Sequence, residues 1–230
     1  MKPSKAYILR IDSDVSREYA RFAANSCDKI GLKWEYFDGY TNMSFAQAWD
    51  KTGLTPPNVN YYRHITTPDN PQCCSAGHAA IWKLIADRDE CAVVLEHDAV
   101  MLQPVDIDIP DDRIVVLGYK LSNYTQYDHE KAGPPKRLID IDGHEGAHAY
   151  AMTPTTAKKL VNEINTRGVL GCIDNAYFIR NQRVTAIPLM LVDPTPAIAW
   201  LRKSTLWHVA AEVNYPFIDS FKQNLKVSNL

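Results

Sequence analysis

The stretch CAVVLEHDAVMLQP, residues 91–104, runs from five apolar residues into Glu96, His97 and Asp98 and returns to apolar sequence at Ala99. A short continuous apolar run of this kind is typical of a strand that is buried on both faces. In open parallel α/β sheets, ligands bind beyond the carboxyl ends of the strands. The stretch therefore predicts a buried strand that ends at an acidic binding edge.

The chain on both sides of this stretch alternates strand-like and helix-like segments. Apolar residues recur at helical spacing in three segments, which are residues 15–30 before Gly31, 75–90 with Ser75 as the cap, and 153–167 before Gly168. The strand-like segments are residues 6–11, 34–37, 92–95, 113–118 and 147–152. Residues 41–71 contain four prolines and are predicted to form a loop with one short helix. This alternation predicts an α/β fold with a mainly parallel central sheet flanked by helices.

The composition predicts one compact domain. With 230 residues, of which 46% are hydrophobic, the chain can bury a substantial core. A net charge of -2 gives no overall attraction to nucleic acid or to an anionic membrane. Five cysteines without CxxC spacing predict reduced thiols. No segment is apolar over the length of a signal peptide or a membrane span, so we expect a cytoplasmic protein without stable membrane insertion.

The acidic pair Glu96 and Asp98 has two interpretations. The two carboxylates can project into one cleft and hold a divalent cation, which in turn neutralises a diphosphate. Alternatively, they belong to a charged loop that caps the next element or pairs with arginines.

A longer block around this pair, residues 73–102, resembles the signature of glycosyltransferase family 25, the lipooligosaccharide-type galactosyltransferases and their collagen-modifying relatives. In that family a Gly-Cys-x-x-Ser-His-like stretch opens a helix containing Trp, and an apolar strand and Glu-Asp-Asp follow. The sequence departs from the pattern at His97, which replaces the middle aspartate. The residues that match are Cys74, Gly77, His78, Trp82, Glu96 and Asp98.

Other segments resemble the family in the expected order, over roughly residues 5–180. Ile11, Asp12 and Arg17 are similar to its Asn-Leu-Asp…Arg opening. Residues 37–39 are similar to its Asp-Gly segment, residues 146–150 to Gly-x-x-x-Tyr, residues 157–160 to Ala-Lys-Lys-Leu, and residues 173–174 to Pro-Val-Asp.

The resemblance implies a GT-A (Rossmann-like) fold in a single domain, with a donor-binding half of about residues 1–118 and an acceptor-side half of about residues 119–230. It implies an enzyme that transfers a sugar from a UDP-sugar donor to an acceptor hydroxyl, with inversion and with Mn²⁺ or Mg²⁺. The metal ligands would be Glu96, Asp98 and His208. The donor-binding residues would be Ile11, Asp12, Arg17, Asp38, Gly39, His78, Glu96 and His97.

Asp174 is the candidate general base, because an inverting transfer needs a carboxylate to take the proton of the acceptor hydroxyl. Its alternative role is to cap the helix-like segment DNAYFIRN. His208 is either a metal ligand or an interfacial histidine beside Trp207.

Three donor-side candidates also keep alternatives. His78 lies on an apolar stripe, which is typical of a packed, hydrogen-bonded core histidine. Arg17 could grip a diphosphate bidentately or form a surface salt bridge. Asp38 could accept a hydrogen bond from a ribose or base, or could form a turn with Gly39.

The acceptor would be a glycan or a modified DNA base. In residues 119–137, tyrosines alternate with lysines and an arginine. Aromatic faces stack on sugars and on nucleobases, and cations grip phosphates, whereas the alternative is an ordinary solvated loop.

Three functions follow from these patterns. The first is the metal-dependent glycosyltransferase. The second is a phage-type DNA glycosyltransferase acting on hydroxymethylated bases, which would work in the host cytoplasm. The third is a catalytically silent module that binds nucleotide-sugar or glycan. A dinucleotide-dependent oxidoreductase is disfavoured, because no GxGxxG follows the first strand.

Overall fold

The computed structural model describes residues 1–58, 69–101, 104–111, 113–117, 120–121, 144–145, 147–169, 189–191 and 199–201. The four helices of this part of the chain are α1 (Asp14–Ile30), α2 (Phe45–Thr52), α3 (Asp69–Arg88) and α4 (Pro154–Arg167). Its first five strands are β1 (Lys5–Arg10), β2 (Lys33–Asp38), β3 (Ala92–Glu96), β4 (Ala99–Met101) and β5 (Ile114–Val116). The remaining strands are β6 (Lys120–Leu121), β7 (His144–Glu145), β8 (Ala149–Met152), β9 (Leu189–Leu191) and β10 (Ala199–Leu201).

Six strands form the central sheet, in the order β2-β1-β3-β8-β5-β9. Strand β1 pairs in parallel with both β2 and β3, and β5 pairs in parallel with β9. Strand β8 is antiparallel to both of its neighbours, β3 and β5. The predicted α/β class, with a mainly parallel sheet flanked by helices, is confirmed.

The sheet has a helical layer on each face. Alternate residues of β1 point to opposite sides, so that Tyr7 and Leu9 pack with α2, α3 and α4, whereas Ala6 and Ile8 pack with α1. Strand β3 divides in the same way, with Val94 on the α3 side and its neighbours Val93 and Leu95 on the α1 side. Because both faces are covered, the continuous apolar run of β3 is fully buried, as predicted.

Capping residues explain where the helices begin and end. The hydroxyl of Ser13 accepts a hydrogen bond from the backbone N–H of Ser16 at the start of α1, and Gly31 ends this helix with φ 73°. Thr153 caps α4 in the same way, and Pro154 occupies the first turn, where its missing N–H costs nothing. These ends lie within one residue of the predicted ones.

Helix α3 begins at Asp69, six residues before the predicted cap at Ser75, so that part of the prediction is wrong. Ser75 is buried within the helix, at 2% exposure. The prediction placed Pro71 at the end of a loop, but this proline lies in the first turn of α3, where its missing N–H costs no intrahelical hydrogen bond. The one short helix predicted in residues 41–71 is α2, which opens with a capping box of Ser44 and Gln47.

None of the helices that the structure describes is long and apolar enough to cross a bilayer.

Candidate functional site

The carboxyl ends of β1, β2 and β3 meet at one edge of the sheet. The register pairs Arg10 with Asp38 and Leu9 with Glu96, because all three strands run in parallel. The predicted donor-binding segments 11–12, 38–39 and 96–97 therefore lie side by side, although they are far apart in sequence.

Gly39, which follows β2, and Gly77, on α3, both pack closely against this edge. The Gly39 N–H donates to the carbonyl of Arg10 at 2.7 Å. A Cβ at Gly39 would lie 2.8 Å from Leu9 Cδ1 and 3.2 Å from the Arg10 carbonyl oxygen, and one at Gly77 would lie 3.3 Å from Leu9 Cδ1. Only hydrogen fits at Gly39 without displacing its neighbours. Close packing therefore explains why glycine occupies positions 39 and 77, both of which resemble the family pattern.

The Glu96 side chain lies on the α3 face of the sheet and contacts a buried histidine. Glu96 Oε1 is 3.2 Å from His78 Nε2, and His78 Nδ1 is 2.8 Å from the Tyr150 hydroxyl. Trp82 Nε1 donates to the same hydroxyl at 2.8 Å. His78, Trp82 and Tyr150 are 0% exposed, whereas the Glu96 side chain is 19% exposed. A chain of polar groups therefore runs from the core to the partly exposed carboxylate.

One assignment of hydrogens satisfies every bond in this chain. The Tyr150 oxygen accepts from Trp82 and donates its own proton to His78 Nδ1. His78 then donates the proton on Nε2 to Glu96 Oε1. All three hydrogen bonds point toward Glu96, and they hold both the imidazole ring and the carboxylate in one orientation.

Nearby histidines favour the charged form of Glu96. Burial alone raises the pKa of this carboxyl group, but the hydrogen bond from His78 and the fields of His78, His148 and His97 outweigh burial and hold the pKa below its usual value. The Glu96 N–H also donates to the carbonyl of His148 at 2.9 Å. The carboxylate is thus ionised near neutral pH, which metal or cation binding requires.

Cys74 completes a group of possible metal ligands with His78 and Glu96. Cys74 Sγ is 3.9 Å from Glu96 Oε1, and the three ligand atoms all lie within 4.8 Å of one another. This donor set is one thiol, one imidazole and one carboxylate, and it can accept a divalent cation.

His97 and Asp98 follow Glu96 in the turn between β3 and β4, and neither belongs to the group of possible metal ligands. The His97 ring stacks on Tyr19 of α1, with 6.4 Å between ring centroids and 19° between the planes. Burial lowers the pKa of His97, although Glu96 partly opposes this effect. Asp98 is buried, at 3% exposure, and is not a member of the group formed by Cys74, His78 and Glu96. Glu96 and His97 therefore contact helices on opposite faces of the sheet.

The arginines of this edge are paired with carboxylates. Arg17 donates to Asp12 through Nη1 and to Asp14 through Nη2, the latter at 2.8 Å, and these hydrogen bonds raise the pKa of Arg17. Arg10 Nε donates to Asp38 Oδ1 at 2.7 Å, and its guanidinium lies 4.0 Å from the centroid of the Tyr36 ring. The salt bridge that was the alternative role of Arg17 is thus formed, and a diphosphate would have to compete with Asp12 and Asp14.

Sequence reasoning missed the contact between Cys74 and Glu96 and the role of Tyr150 beside His78. A signal for the first was present, since Cys74 and His78 are four residues apart and share one face of a helix. The antiparallel position of β8, which brings Tyr150 to His78, had no local signal. Asp174, His208 and most of residues 119–137 lie outside the described residues.

No protein-family model and no curated protein matches the chain. Among solved structures, it is similar to the galactosyltransferase LgtC in complex with donor and acceptor sugar analogs, with 16% identity and a TM-score of 0.36. That match covers 67% of this chain and 59% of the LgtC chain. A glycosyltransferase involved in the glycosylation of the major capsid of PBCV-1 is 9% identical, with a TM-score of 0.42 and coverage of 86% of this chain and 91% of that chain. Mouse xyloside xylosyltransferase 1 is 10% identical, with a TM-score of 0.36 and coverage of 72% and 73%.

Proposed function

We propose that the protein is a glycosyltransferase of the GT-A type that binds a nucleotide-sugar at the edge formed by β1, β2 and β3. The observation that carries this proposal is that residues 11–12, 38–39 and 96–97, which were assigned to the donor from sequence resemblance, lie together in the fold. Polar groups at the carboxyl ends of adjacent parallel strands form the usual ligand site of such sheets.

The donor in this proposal is a UDP-sugar bound with a divalent cation, Mn²⁺ or Mg²⁺. The cation would neutralise the charge of the diphosphate. Glu96 supports this role through its partly exposed carboxylate, whose pKa is held low mainly by the His78 hydrogen bond against the opposing effect of burial. Asp98 and His208 are the further ligands that the family resemblance implies.

Two steps of the proposal concern the acceptor. Asp174 acts as the general base that takes the proton of the acceptor hydroxyl, and the sugar is transferred with inversion. Residues 119–137 bind the acceptor, which is a glycan or, in a phage-type enzyme, a hydroxymethylated DNA base.

The first test is isothermal titration of a panel of UDP-sugars into the full chain, with Mn²⁺ and then with EDTA. We expect one donor to bind with Mn²⁺ and its binding to disappear with EDTA. The variant Asp98→Asn should lose this metal-dependent binding. Asp87→Asn, on the far end of α3 beside Lys83, should keep it and serves as the matched control. Wild-type affinity in Asp98→Asn would remove Asp98 from the cation site.

Turnover distinguishes the enzyme from the silent binding module. We expect Asp174→Asn to keep donor affinity and to lower turnover by about 10²-fold or more, the usual scale for a general base. Donor binding by the wild type without transfer or donor hydrolysis, over a panel of glycans and hydroxymethylated DNA, would instead favour the silent module. Full turnover in Asp174→Asn would remove the assignment of the base.

A further inference from the structure

We propose that Cys74, His78 and Glu96 form a binding site for one Zn²⁺ ion. The two helical ligands are four residues apart on α3, so that their side chains share one face of the helix. The third ligand is the last residue of β3, which ends beside that face. This site shares Glu96 with the Mn²⁺ or Mg²⁺ site proposed above, but its other two ligands are different, and it does not depend on the chain being a transferase.

The distances between ligand atoms suit a tetrahedral ion. Zn–N and Zn–O bonds in proteins imply a separation of about 3.4 Å between two ligand atoms at the tetrahedral angle, and His78 Nε2 lies 3.2 Å from Glu96 Oε1. A Zn–S bond raises the expected sulfur-to-oxygen separation to about 3.6 Å, and Cys74 Sγ lies 3.9 Å from Glu96 Oε1. The third pair, Cys74 Sγ and His78 Nε2, lies within 4.8 Å, against about 3.6 Å expected in a tetrahedral zinc site, so side-chain movements of up to about 1 Å close the site.

The chemistry of the ligands selects the metal. A thiolate is a soft ligand and an imidazole is a borderline one, and both suit Zn²⁺. Mg²⁺ and Mn²⁺ prefer carboxylate, carbonyl and water oxygens, of which the group supplies one residue. Glu96 belongs to both proposed sites, and its two oxygens allow it to contact one ion through Oε1 and another through Oε2.

The surroundings of His78 are those of a metal-bound histidine. When Nε2 binds the ion, the remaining proton of the ring moves to Nδ1 and is donated to the Tyr150 oxygen at 2.8 Å. That oxygen also accepts from Trp82 Nε1, so that its two lone pairs hold both donors, and its own proton, which pointed to Nδ1 without the metal, rotates away from the ring. The ring is thereby fixed in direction, and such outer partners raise metal affinity by about 10–100-fold.

The three ligand residues are partly exposed as a group, so an ion bound to them would be accessible to a molecule from solution. His78 is fully buried, but Cys74 is partly exposed and the Glu96 side chain is 19% exposed. Three protein ligands from the described residues leave one tetrahedral position for water or for an oxygen of a bound molecule, as in catalytic zinc centres.

Cobalt provides a direct test, because tetrahedral Co²⁺ absorbs strongly in the visible range and a thiolate ligand adds a near-ultraviolet charge-transfer band. The full chain, stripped with EDTA, is titrated with Co²⁺ and then with Zn²⁺. We expect both absorptions to saturate at one equivalent of Co²⁺ and to be abolished by Zn²⁺. A weak spectrum typical of octahedral Co²⁺, without the thiolate band, would overturn the proposal.

The neighbouring cysteine offers a matched control. Cys74→Ser should remove the thiolate band and weaken Co²⁺ binding by more than about 10-fold, whereas Cys73→Ser should leave both unchanged because Cys73 Sγ faces the Met43 carbonyl. Circular dichroism checks that both variants are folded, and equal spectra from the two variants would refute the assignment.

The cobalt and donor experiments fail independently. A thiolate band without UDP-sugar binding would retain the zinc site and remove the UDP-sugar donor, and donor binding with Mn²⁺ but no thiolate band would do the reverse.

Discussion

The Tyr150 hydroxyl is the centre of the polar chain, and its removal should be costly although it changes only one atom. In Tyr150→Phe the ring still fills its fully buried position, but the hydrogen bonds with Trp82 Nε1 and His78 Nδ1, both 2.8 Å, are lost. A lost hydrogen bond costs about 1 kcal/mol, and a buried group left unsatisfied costs about 1–3 kcal/mol. We therefore expect the free energy of unfolding to fall by about 2–4 kcal/mol.

Urea denaturation followed by circular dichroism measures this loss. The midpoint should fall and the m-value should stay unchanged, because the variant exposes the same surface on unfolding. Tyr40→Phe is the control, since Tyr40 is a partly buried phenol that packs on the same hydrophobic cluster. Its loss should stay below about 1 kcal/mol. Equal losses of unfolding free energy in the two variants would refute the conclusion that the hydrogen bonds linking Trp82, Tyr150, His78 and Glu96 stabilise the fold.

Three other experiments test separate parts of the structure. Burial raises the pKa of Cys27 to about 12 and that of Cys91 to about 11, so iodoacetamide at pH 8 should leave both unlabelled in the native protein and label both in urea, as mass spectrometry will show. The folded pKa of Glu96 lies below its usual value of 4.5, held there by the His78 hydrogen bond against burial, so its ionisation stabilises the fold above that value. This contribution is lost as the pH falls through the folded pKa. In metal-stripped protein, Glu96→Gln should therefore flatten the acid side of a plot of unfolding free energy against pH. Identical slopes in the wild type and the variant would contradict the lowered pKa of Glu96. Gly39→Ala places a methyl group 3.2 Å from the Arg10 carbonyl oxygen and should cost about 1–3 kcal/mol, which thermal denaturation will detect and an unchanged Tm would disprove.

Local sequence signals predicted most of the elements, because those signals act over a few residues. The apolar run 92–95 became β3, and Gly31 ended α1 with a positive φ. The direction of β8 could not be predicted in this way. All four of its side chains are buried, and such a strand satisfies its neighbours in either direction, so its antiparallel pairing depends on the path of the chain.

The sequence predicted where Glu96 lies in the fold, but not which side chains it contacts. Glu96 was placed at a strand end, where the structure has it, because that position follows from the pattern of β3. His78 was interpreted either as a core histidine or as a donor-binding residue, and it is fully buried while it contacts Glu96. Such a dual position depends on the closeness of α3, β3 and β8, which only the folded chain establishes.

The central position of β8 has a consequence for how the chain acquires its site during synthesis. Strand β8 lies between β3 and β5, so that residues from the second half of the sequence complete a sheet begun by the first half. A nascent chain that ends at residue 118 contains Glu96 and His78 but lacks Tyr150, and its β3 presents an unpaired apolar edge of the kind that aggregates. The contacts of Glu96 and His78 with β8 and the protection of the β3 edge thus form together, after β8 has been translated.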